Sequence, residues 1–202
     1  MSEYYKTIPS ADLTDFDEFY SQMANLLPDN CIVVEVGAAN GRSAIMLAEM
    51  LSDLGKNFTM YVVDNMAYGG ADQRNTIIGH MVSSGMGSKI KLMEMSSLDA
   101  SCHFNDHSLD FVFVDSSHEY EETKAAARLF YLKLKDERYL AGHDITAQEV
   151  KEAILEVIPE TITREAIPGQ QSFKPEKVLN IIDTPKGYGV WFLKKQFYIK
   201  LN

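Results

Sequence analysis

The feature that most constrains the fold is an alternation of strand-like and helix-like segments between about residues 31 and 158. Residues 31–36 form a continuous and largely β-branched run, which is typical of a strand buried on both faces. Strands separated by helical patterns of about ten or more residues indicate βαβ units and a parallel sheet. Four further strands are predicted at residues 58–63, 90–95, 109–114 and 139–141.

Helical patterns fill the intervals between these strands. A helix is predicted after the first strand because four apolar residues lie on one helical face: Ala44, Leu47, Ala48 and Leu51. The last helix of the series opens with a capping box at residues 146–149, and its predicted end is Pro159. Other helices are predicted at residues 12–28, 72–84 and 119–135.

The pattern changes after Pro159, where two strand-like segments, residues 161–167 and 188–194, are joined by a loop. We therefore expect an α/β, Rossmann-like fold, in which a seven-stranded, mostly parallel sheet carries an antiparallel edge hairpin and helices on both faces. The 202 residues fit a single domain, 1–202. Its expected parts are a helical extension (1–30), a cofactor-binding α/β core (31–158) and antiparallel strands with a loop (159–202).

The formal net charge of the chain is −10, which opposes binding to nucleic acid phosphates, so no nucleic acid partner is expected. No apolar run reaches the roughly 18 residues needed to span a bilayer, and the N-terminus lacks the apolar segment of a signal peptide. Cys31 and Cys102 have no partner at metal-ligand spacing and are interpreted as reduced thiols. We therefore expect a cytoplasmic protein without membrane contacts, and the sequence is compatible with a homodimer.

The turn after the first strand, residues 35–43, is suited to close contact with a ligand. Gly37, Ala38 and Gly41 are small, and the two glycines can adopt a positive φ without a steric penalty. In open α/β sheets, ligands bind beyond the carboxyl ends of the strands. Asp64, at the end of the second strand, is placed there to accept hydrogen bonds from a ribose diol.

Two nucleotide ligands fit this arrangement. A dinucleotide typically requires the Gly-x-Gly-x-x-Gly spacing, which the turn lacks, and Glu35 would lie unfavourably close to its pyrophosphate. A cationic ligand without phosphate suits a carboxylate at this place, and S-adenosylmethionine (SAM) carries a sulfonium and an ammonium group. An NAD-dependent oxidoreductase and a non-catalytic SAM-binding protein remain the alternatives to a SAM-dependent enzyme.

These motifs resemble a known family. Residues 34–41 are similar to the first motif of class I SAM-dependent methyltransferases, and Asp64 resembles their ribose-binding acid. Residues 113–121 and 140–144 resemble the small O-methyltransferases related to the caffeoyl-CoA, catechol and macrocin enzymes. The chain departs from that pattern at Ala39, where the family often has glycine, and at residues 116–117, where an acidic or aromatic residue is common.

The resemblance implies a set of cofactor contacts. Residues of the first turn would line the methionine moiety, Asp64 and Asn65 would bind the ribose, and three residues after the third strand would border the adenine. The first-turn residues are Glu35, Gly37, Ala38, Asn40, Gly41 and Ser43, and the adenine residues are Ser96, Ser97 and Leu98. Asp115 is also expected to contact the cofactor.

Acidic and imidazole side chains follow the fourth and fifth strands. Asp115 and Asp144 end neighbouring parallel strands, which lie about 4.8 Å apart, and their oxygens suit a divalent ion such as Mg²⁺ or Mn²⁺. The resemblance to the catechol and caffeoyl-CoA enzymes implies that Asp115, His143 and Asp144 hold the metal. It also implies that His118 is the catalytic base near the acceptor hydroxyl and that Asp115 takes part in catalysis.

Each of these residues also has a purely structural interpretation. Asp64 and Asp115 could cap the helices that follow them, and His118 could be a solvated residue in the first turn of a helix. Asp144 could satisfy the next helix N-terminus. The hypothesis favoured by the sequence is nevertheless an O-methyltransferase that transfers the methyl group of SAM to a hydroxyl oxygen of a small-molecule acceptor, assisted by a divalent metal.

Overall fold

The computed structural model describes residues 3–9, 15–165 and 179–195, with the side chains of residues 158–165 left out. The strands are β1 (Cys31–Val36), β2 (Phe58–Asp64), β3 (Ile90–Glu94), β4 (Leu109–Val114), β5 (Leu134–Gly142), β6 (Asn180–Ile182) and β7 (Val190–Lys194). The helices are α1 (Asp17–Leu26), α2 (Arg42–Asp53), α3 (Gly70–Ser83), α4 (Ser97–Ser101), α5 (Tyr120–Lys133) and α6 (Gln148–Glu165). A 3₁₀-helix (Tyr4–Thr7) precedes α1.

The seven strands form one sheet in the order β3-β2-β1-β4-β5-β7-β6. Strands β1 to β5 pair in parallel, whereas β7 is antiparallel to both β5 and β6. The fold predicted from the sequence is therefore confirmed. The strand order reverses between β1 and β4, which is the place where ligands bind in open sheets of this kind.

Two apolar cores cover the two faces of the sheet, as the alternation of side chains along a strand requires. In β1, Val33 packs in the core that contains Tyr20 of α1 and Ile45 of α2. Its neighbour Val34 packs in the opposite core, which contains Phe130 of α5. Because β1 and β4 are buried on both faces, their sequences are continuous apolar runs rather than alternating ones.

The prediction for the segment around Pro159 is wrong. Helix α6 does not end at Pro159 but continues to Glu165, so residues 161–165 are helical and not a strand, and residues 166–167 lie outside the described residues. A proline inside a helix removes one backbone hydrogen bond, and the helix continues beyond it here. The β-branched Thr161, Ile162 and Thr163 produced the strand-like pattern, and the observed edge strand is β6 instead.

Other boundaries differ by a few residues. Strand β5 begins at Leu134 rather than at residue 139, because the buried Leu134 pairs with Leu109 of β4. A bulge between Leu109 and Phe111 and a positive φ of 62° at Glu137 interrupt the regular pattern that the sequence would otherwise show. Helix α1 is shorter than predicted; of its predicted range, residues 12–14 lie outside the described residues. None of the helices in the described part of the chain is long and apolar enough to cross a membrane.

Candidate active site

A cavity of about 500 Å³ opens at the carboxyl ends of β1, β2 and β4. This volume lies within the usual range of small-molecule sites. Most of the predicted cofactor residues line it: Gly37, Ala38, Asn40, Ser43, Asp64, Asn65, Ser96, Ser97 and Asp115. Three others, Glu35, Gly41 and Leu98, do not form part of its lining.

The turn after β1 forms one wall of the cavity. Gly37 has a φ of 96°, and a Cβ atom at this position would lie 1.8 Å from the carbonyl oxygen of Asp115. Only glycine therefore lets β1 and β4 approach so closely at their ends. Gly41, with a φ of 80°, occupies the N-cap position of α2 and directs the chain into that helix. The side chain of Asn40 donates to the carbonyl of Pro9, which also lines the cavity.

Asp64 fixes the second wall. One of its carboxylate oxygens accepts a hydrogen bond from the backbone N–H of Ala38 at 2.8 Å, and the other accepts from the N–H of Met66 at 2.7 Å. Asp64 does not cap α3, since that helix begins at Gly70 with Gly69 as its N-cap residue. The structural interpretation of Asp64 as a helix cap is therefore wrong, and the carboxylate links two loops beside the cavity.

Glu35 lies directly behind the cavity wall. It is completely buried, and its carboxylate accepts hydrogen bonds from the hydroxyl of Tyr20 at 2.9 Å and from the hydroxyl of Ser43 at 2.5 Å. Burial raises the pKa of Glu35 to about 8, although both hydrogen bonds favour the charged form. Ser43 lines the cavity, so it connects the buried carboxyl group to the ligand space.

On the adenine side of the predicted site, Ser96 and Ser97 line the cavity at the start of α4. Ser96 is the N-cap residue of this helix, and its hydroxyl accepts a hydrogen bond from the N–H of Asp99 at 3.1 Å. Leu98 is 51% exposed and lies outside the cavity lining. Of the three residues predicted to border the adenine, two therefore line the cavity.

Three side chains converge at the other end of the cavity: Asp115, His118 and Asp144. The Nε2 atom of His118 lies 2.9 Å from an oxygen of Asp144 and 3.5 Å from an oxygen of Asp115. One potential ligand atom from each residue lies within 4.8 Å of the others. Among the described residues, these three side chains could together hold a metal ion. All three residues line the cavity.

The backbone at this group is unusual. His118 has a φ of 62° and Asp144 a φ of 57°, both in the left-handed region that residues other than glycine rarely adopt. Such residues concentrate at active sites, where the surrounding structure holds them in place. Neither Asp115 nor His118 caps a helix, since α5 begins at Tyr120 after its N-cap residue Glu119.

The close carboxylates change the protonation of this group. Hydrogen bonds to Asp115 and Asp144 raise the pKa of His118 to about 10, so its ring is protonated at neutral pH. Burial alone would raise the pKa of Asp144, but hydrogen bonds from His118 and His143 hold it well below its usual range. The side chains of Asp115, His118 and Asp144 thus form an ion-paired cluster.

His143, a predicted metal ligand, contacts both carboxylates of this group but does not line the cavity. Its ring is buried, with Nε2 at 2.9 Å from an oxygen of Asp15 and Nδ1 at 3.1 Å from an oxygen of Asp144. Burial lowers the pKa of His143, but the hydrogen bond to Asp144 and the charges of Asp115 and Asp144 leave it raised overall. Both ring nitrogens therefore face carboxylates, and the metal-binding role of His143 stays a prediction.

Sequence reasoning did not identify two residues that contact the site. Asp15 contacts His143 from the N-terminal part of the chain, and no motif in the sequence marks it. Gln73 of α3 lines the cavity, and its side-chain amide lies 3.4 Å from Asp64. Both contacts arise from tertiary packing, for which a single sequence carries no local signal.

The order of the strands, the glycine turn after β1 and the acidic residue at the end of β2 are together typical of Rossmann-like methyltransferases. The sequence confirms this assignment, because a family profile described as a methyltransferase domain matches residues 34–145. This match covers more than half of the chain, and the protein belongs to this family of SAM-dependent methyltransferases. SAM is accordingly the expected cofactor.

Solved structures share the fold at low sequence identity. A Corynebacterium glutamicum protein is 14% identical, with a TM-score of 0.66 over 96% of this chain and 86% of that one. A candidate rRNA methylase from Clostridium thermocellum is 13% identical, with a TM-score of 0.64 over 90% and 97%. A candidate caffeoyl-CoA O-methyltransferase from Staphylococcus aureus is 14% identical, with a TM-score of 0.60 over 94% and 87%. No curated protein matches the sequence.

Proposed function

We propose that this protein transfers the methyl group of SAM to a hydroxyl oxygen of a small molecule, with a divalent cation held by Asp115 and Asp144 and with His118 as the proton acceptor. The observation that carries the proposal is the convergence of these three side chains at one end of the cavity that takes the methyl donor. A site for activating an acceptor would then lie beside the site of the donor.

The donor end of the cavity fits SAM. When bound, SAM would supply a methyl group on its sulfonium sulfur, and an in-line displacement at the methyl carbon would release that sulfur as a neutral thioether. Asp64 and Asn65 offer oxygen atoms to a ribose, and Ser96 with Ser97 border the space left for the adenine. Glu35 lies behind Ser43, where the cationic methionine end of the donor would lie, and a cation bound there would favour the ionised form of this buried carboxyl group.

The acceptor end of the cavity fits a divalent cation. Two carboxylates are ligands that Mg²⁺ or Mn²⁺ accepts, and Asp115 and His118 are only half-buried, which leaves room for water or an acceptor oxygen. A bound divalent cation would supply Lewis acidity that lowers the proton affinity of an acceptor hydroxyl. The residues present are therefore consistent with the ion.

Asp115 and Asp144 also control what His118 can do. They keep its ring protonated in the protein alone, and a protonated imidazole cannot accept a proton. If a divalent cation neutralised the two carboxylates, the pKa of His118 would fall and its ring would become available as a base. The same two carboxylates thus decide whether His118 acts as an ion-pair partner or as a proton acceptor.

The charge of the cavity supports a small, non-phosphorylated acceptor. Five acidic residues line it: Asp64, Asp115, Glu119, Glu122 and Asp144. Together with the net charge of −10, they oppose the approach of a polyanion such as RNA. The likeness to an rRNA methylase concerns the fold alone and does not outweigh these charges.

The proposal is tested with SAM that carries a tritiated methyl group and a panel of catechols, sugars and hydroxylated natural products. We expect methyl transfer that requires Mg²⁺ or Mn²⁺ and that EDTA abolishes. Asp144→Asn should reduce transfer at least a hundredfold while leaving the affinity for S-adenosylhomocysteine unchanged, since Asp144 lies at the acceptor end. Asp53→Asn, at the exposed end of α2, is the matched control.

Three outcomes would contradict the proposal in different ways. Binding of S-adenosylhomocysteine without transfer to any acceptor would indicate a non-catalytic SAM-binding protein. Transfer that EDTA does not affect would remove the metal and leave His118 and Asp115 as the acceptor-activating groups. Methylation of RNA in preference to every small molecule would overturn the acceptor class.

A further inference from the structure

Asp15 is a buried carboxylate that the proposed reaction does not use directly. Its side chain is only 2% exposed. One carboxylate oxygen lies 2.9 Å from the Nε2 atom of His143, and the other accepts a hydrogen bond from the backbone N–H of Lys186 at 2.9 Å. An unpaired buried carboxylate is costly, and these two contacts offset that cost.

The contacts of Asp15 continue into the active site. One ring nitrogen of His143 contacts Asp15, and the other lies 3.1 Å from an oxygen of Asp144. The same oxygen of Asp144 lies 2.9 Å from His118. Asp15, His143, Asp144 and His118 therefore form an unbroken series of polar contacts from the N-terminal part of the chain to the acceptor end of the cavity.

Packing limits the freedom of the His143 ring. The ring of Phe16 lies against it with a centroid distance of 4.9 Å, and the ring of Tyr188 lies at 5.8 Å. The ring is thus confined between aromatic groups, and the two carboxylates at its edges fix its rotation. If Asp15 were lost, Nε2 would be a buried polar atom without its acceptor, which favours reorientation of the ring.

We propose that Asp15 is a positioning residue, whose carboxylate fixes the His143 ring and through it the Asp144 oxygen that contacts His118. The inference rests on the proposed function for the role of Asp144, whereas the contacts themselves do not depend on it. Outer contacts that orient ligand side chains commonly change metal affinity by about tenfold to a hundredfold. Asp15 acts through other residues and has no contact with the reacting atoms.

The alternative is that Asp15 only attaches the N-terminal segment to the domain. Glu49 provides the comparison, because this buried carboxylate accepts hydrogen bonds from the backbone N–H groups of Tyr4 and Tyr5. It also attaches the N-terminal segment, but to α2 and not to the acceptor group. Glu49→Gln is therefore the matched control for Asp15→Asn.

Asp15→Asn changes the contact with little change in volume. The backbone N–H of Lys186 can only donate, so it keeps the amide oxygen, and the amide NH₂ then faces His143. The acceptor for Nε2 is thereby lost. The first measurement is nitrogen NMR of the full-length protein labelled at its five histidines, recorded at one fixed pH.

We expect Asp15→Asn to shift the ring-nitrogen signals of both His143 and His118, although His118 does not touch Asp15. Glu49→Gln should shift neither. A shift confined to His143 would overturn the proposal, because it would show that the contact does not extend to the acceptor group. If Asp15→Asn does not fold, His143→Gln, which interrupts the same series, must shift His118, and an unchanged His118 signal is again a refutation.

The second measurement is the affinity for Mn²⁺ alone, by electron paramagnetic resonance. Asp15→Asn should raise the Kd for Mn²⁺ about tenfold with unchanged affinity for S-adenosylhomocysteine, and Glu49→Gln should change neither. An unchanged Kd for Mn²⁺ in Asp15→Asn counts against the proposal. Absence of Mn²⁺ binding by the native protein would instead remove the metal from the proposed function, and the His118 signals would still decide the role of Asp15.

Discussion

The Nε2 atom of His118 lies 2.9 Å from an oxygen of Asp144, and this contact joins the ends of two adjacent parallel strands. His118 follows β4 and Asp144 follows β5, and both residues have a left-handed backbone that turns their side chains toward each other. The pair lies at the edge of the cavity formed by the turn after β1. The acceptor end of the site is therefore built from loops that the parallel sheet brings together.

His118→Gln should reduce stability in a pH-dependent way. The folded-state pKa of His118, about 10, exceeds its ordinary value near 6.5, so its contribution is fully present below pH 6.5 and is lost as the pH rises through 10. Because the side chain is 41% exposed, we expect only about 1 kcal/mol at pH 6. Urea unfolding at pH 6 and pH 9.5 measures the difference, with His103→Gln on the exposed turn after α4 as the control. A loss in His118→Gln that is equal at both pH values would contradict the ion-pair cluster.

Asp64→Asn should weaken binding of S-adenosylhomocysteine about tenfold or more. Both carboxylate oxygens of Asp64 accept backbone hydrogen bonds, and an amide would have to turn its NH₂ group toward one of those N–H donors. The variant would also offer a ribose diol fewer acceptors, and a hydrogen bond to a charged group contributes about 1.5–3 kcal/mol. Titration calorimetry measures the affinity, and Asp72→Asn, exposed on α3, should bind as the native protein does. Equal affinities of all three proteins would exclude Asp64 from the donor site.

Glu35→Gln should become more stable relative to the native protein as the pH rises from 4.5 to 8. The folded-state pKa of Glu35, about 8, lies above its ordinary value of 4.5, so the folded protein binds more protons in this interval and loses stability as the pH rises. Glutamine cannot ionise and does not lose this contribution. Urea unfolding of both proteins at pH 5 and pH 8 measures the change. An equal difference in the free energy of unfolding at the two pH values would show that Glu35 is ionised throughout.

Much of the fold follows from the sequence because each element carries a local signal. The continuous apolar runs of β1 and β4 indicate buried parallel strands, and the helical patterns between strands dictate crossovers. The edge of the sheet was not predictable in the same way. Residues 161–163 have β-branched side chains, yet they extend α6, because helix continuation in the folded chain outweighs a weak local preference.

The donor site could be predicted more completely than the acceptor site. Gly37 and Asp64 are recognisable because each is required at a strand end by geometry or by hydrogen bonding. The contacts of His118 with Asp115 and Asp144 accompany a left-handed backbone at residue 118, for which the sequence carries no local signal. The contact between Asp15 and His143 joins residues far apart in the chain, and no periodicity or spacing connects them.

Ala39→Gly should stabilise the protein, since Ala39 is exposed and has a φ of 42° in the turn after β1. A left-handed conformation costs a residue other than glycine about 1–2 kcal/mol, whereas glycine adds about 0.4–1 kcal/mol of unfolded-chain entropy. The net gain should be about 0.5–1 kcal/mol, which corresponds to a rise in Tm of about 1–4 °C for a chain of this size. Ala125→Gly in α5 is the matched control and should instead lose about 1 kcal/mol, because its backbone is helical. Thermal unfolding measures both, and an equal loss in the two variants would show that the turn is not strained at Ala39.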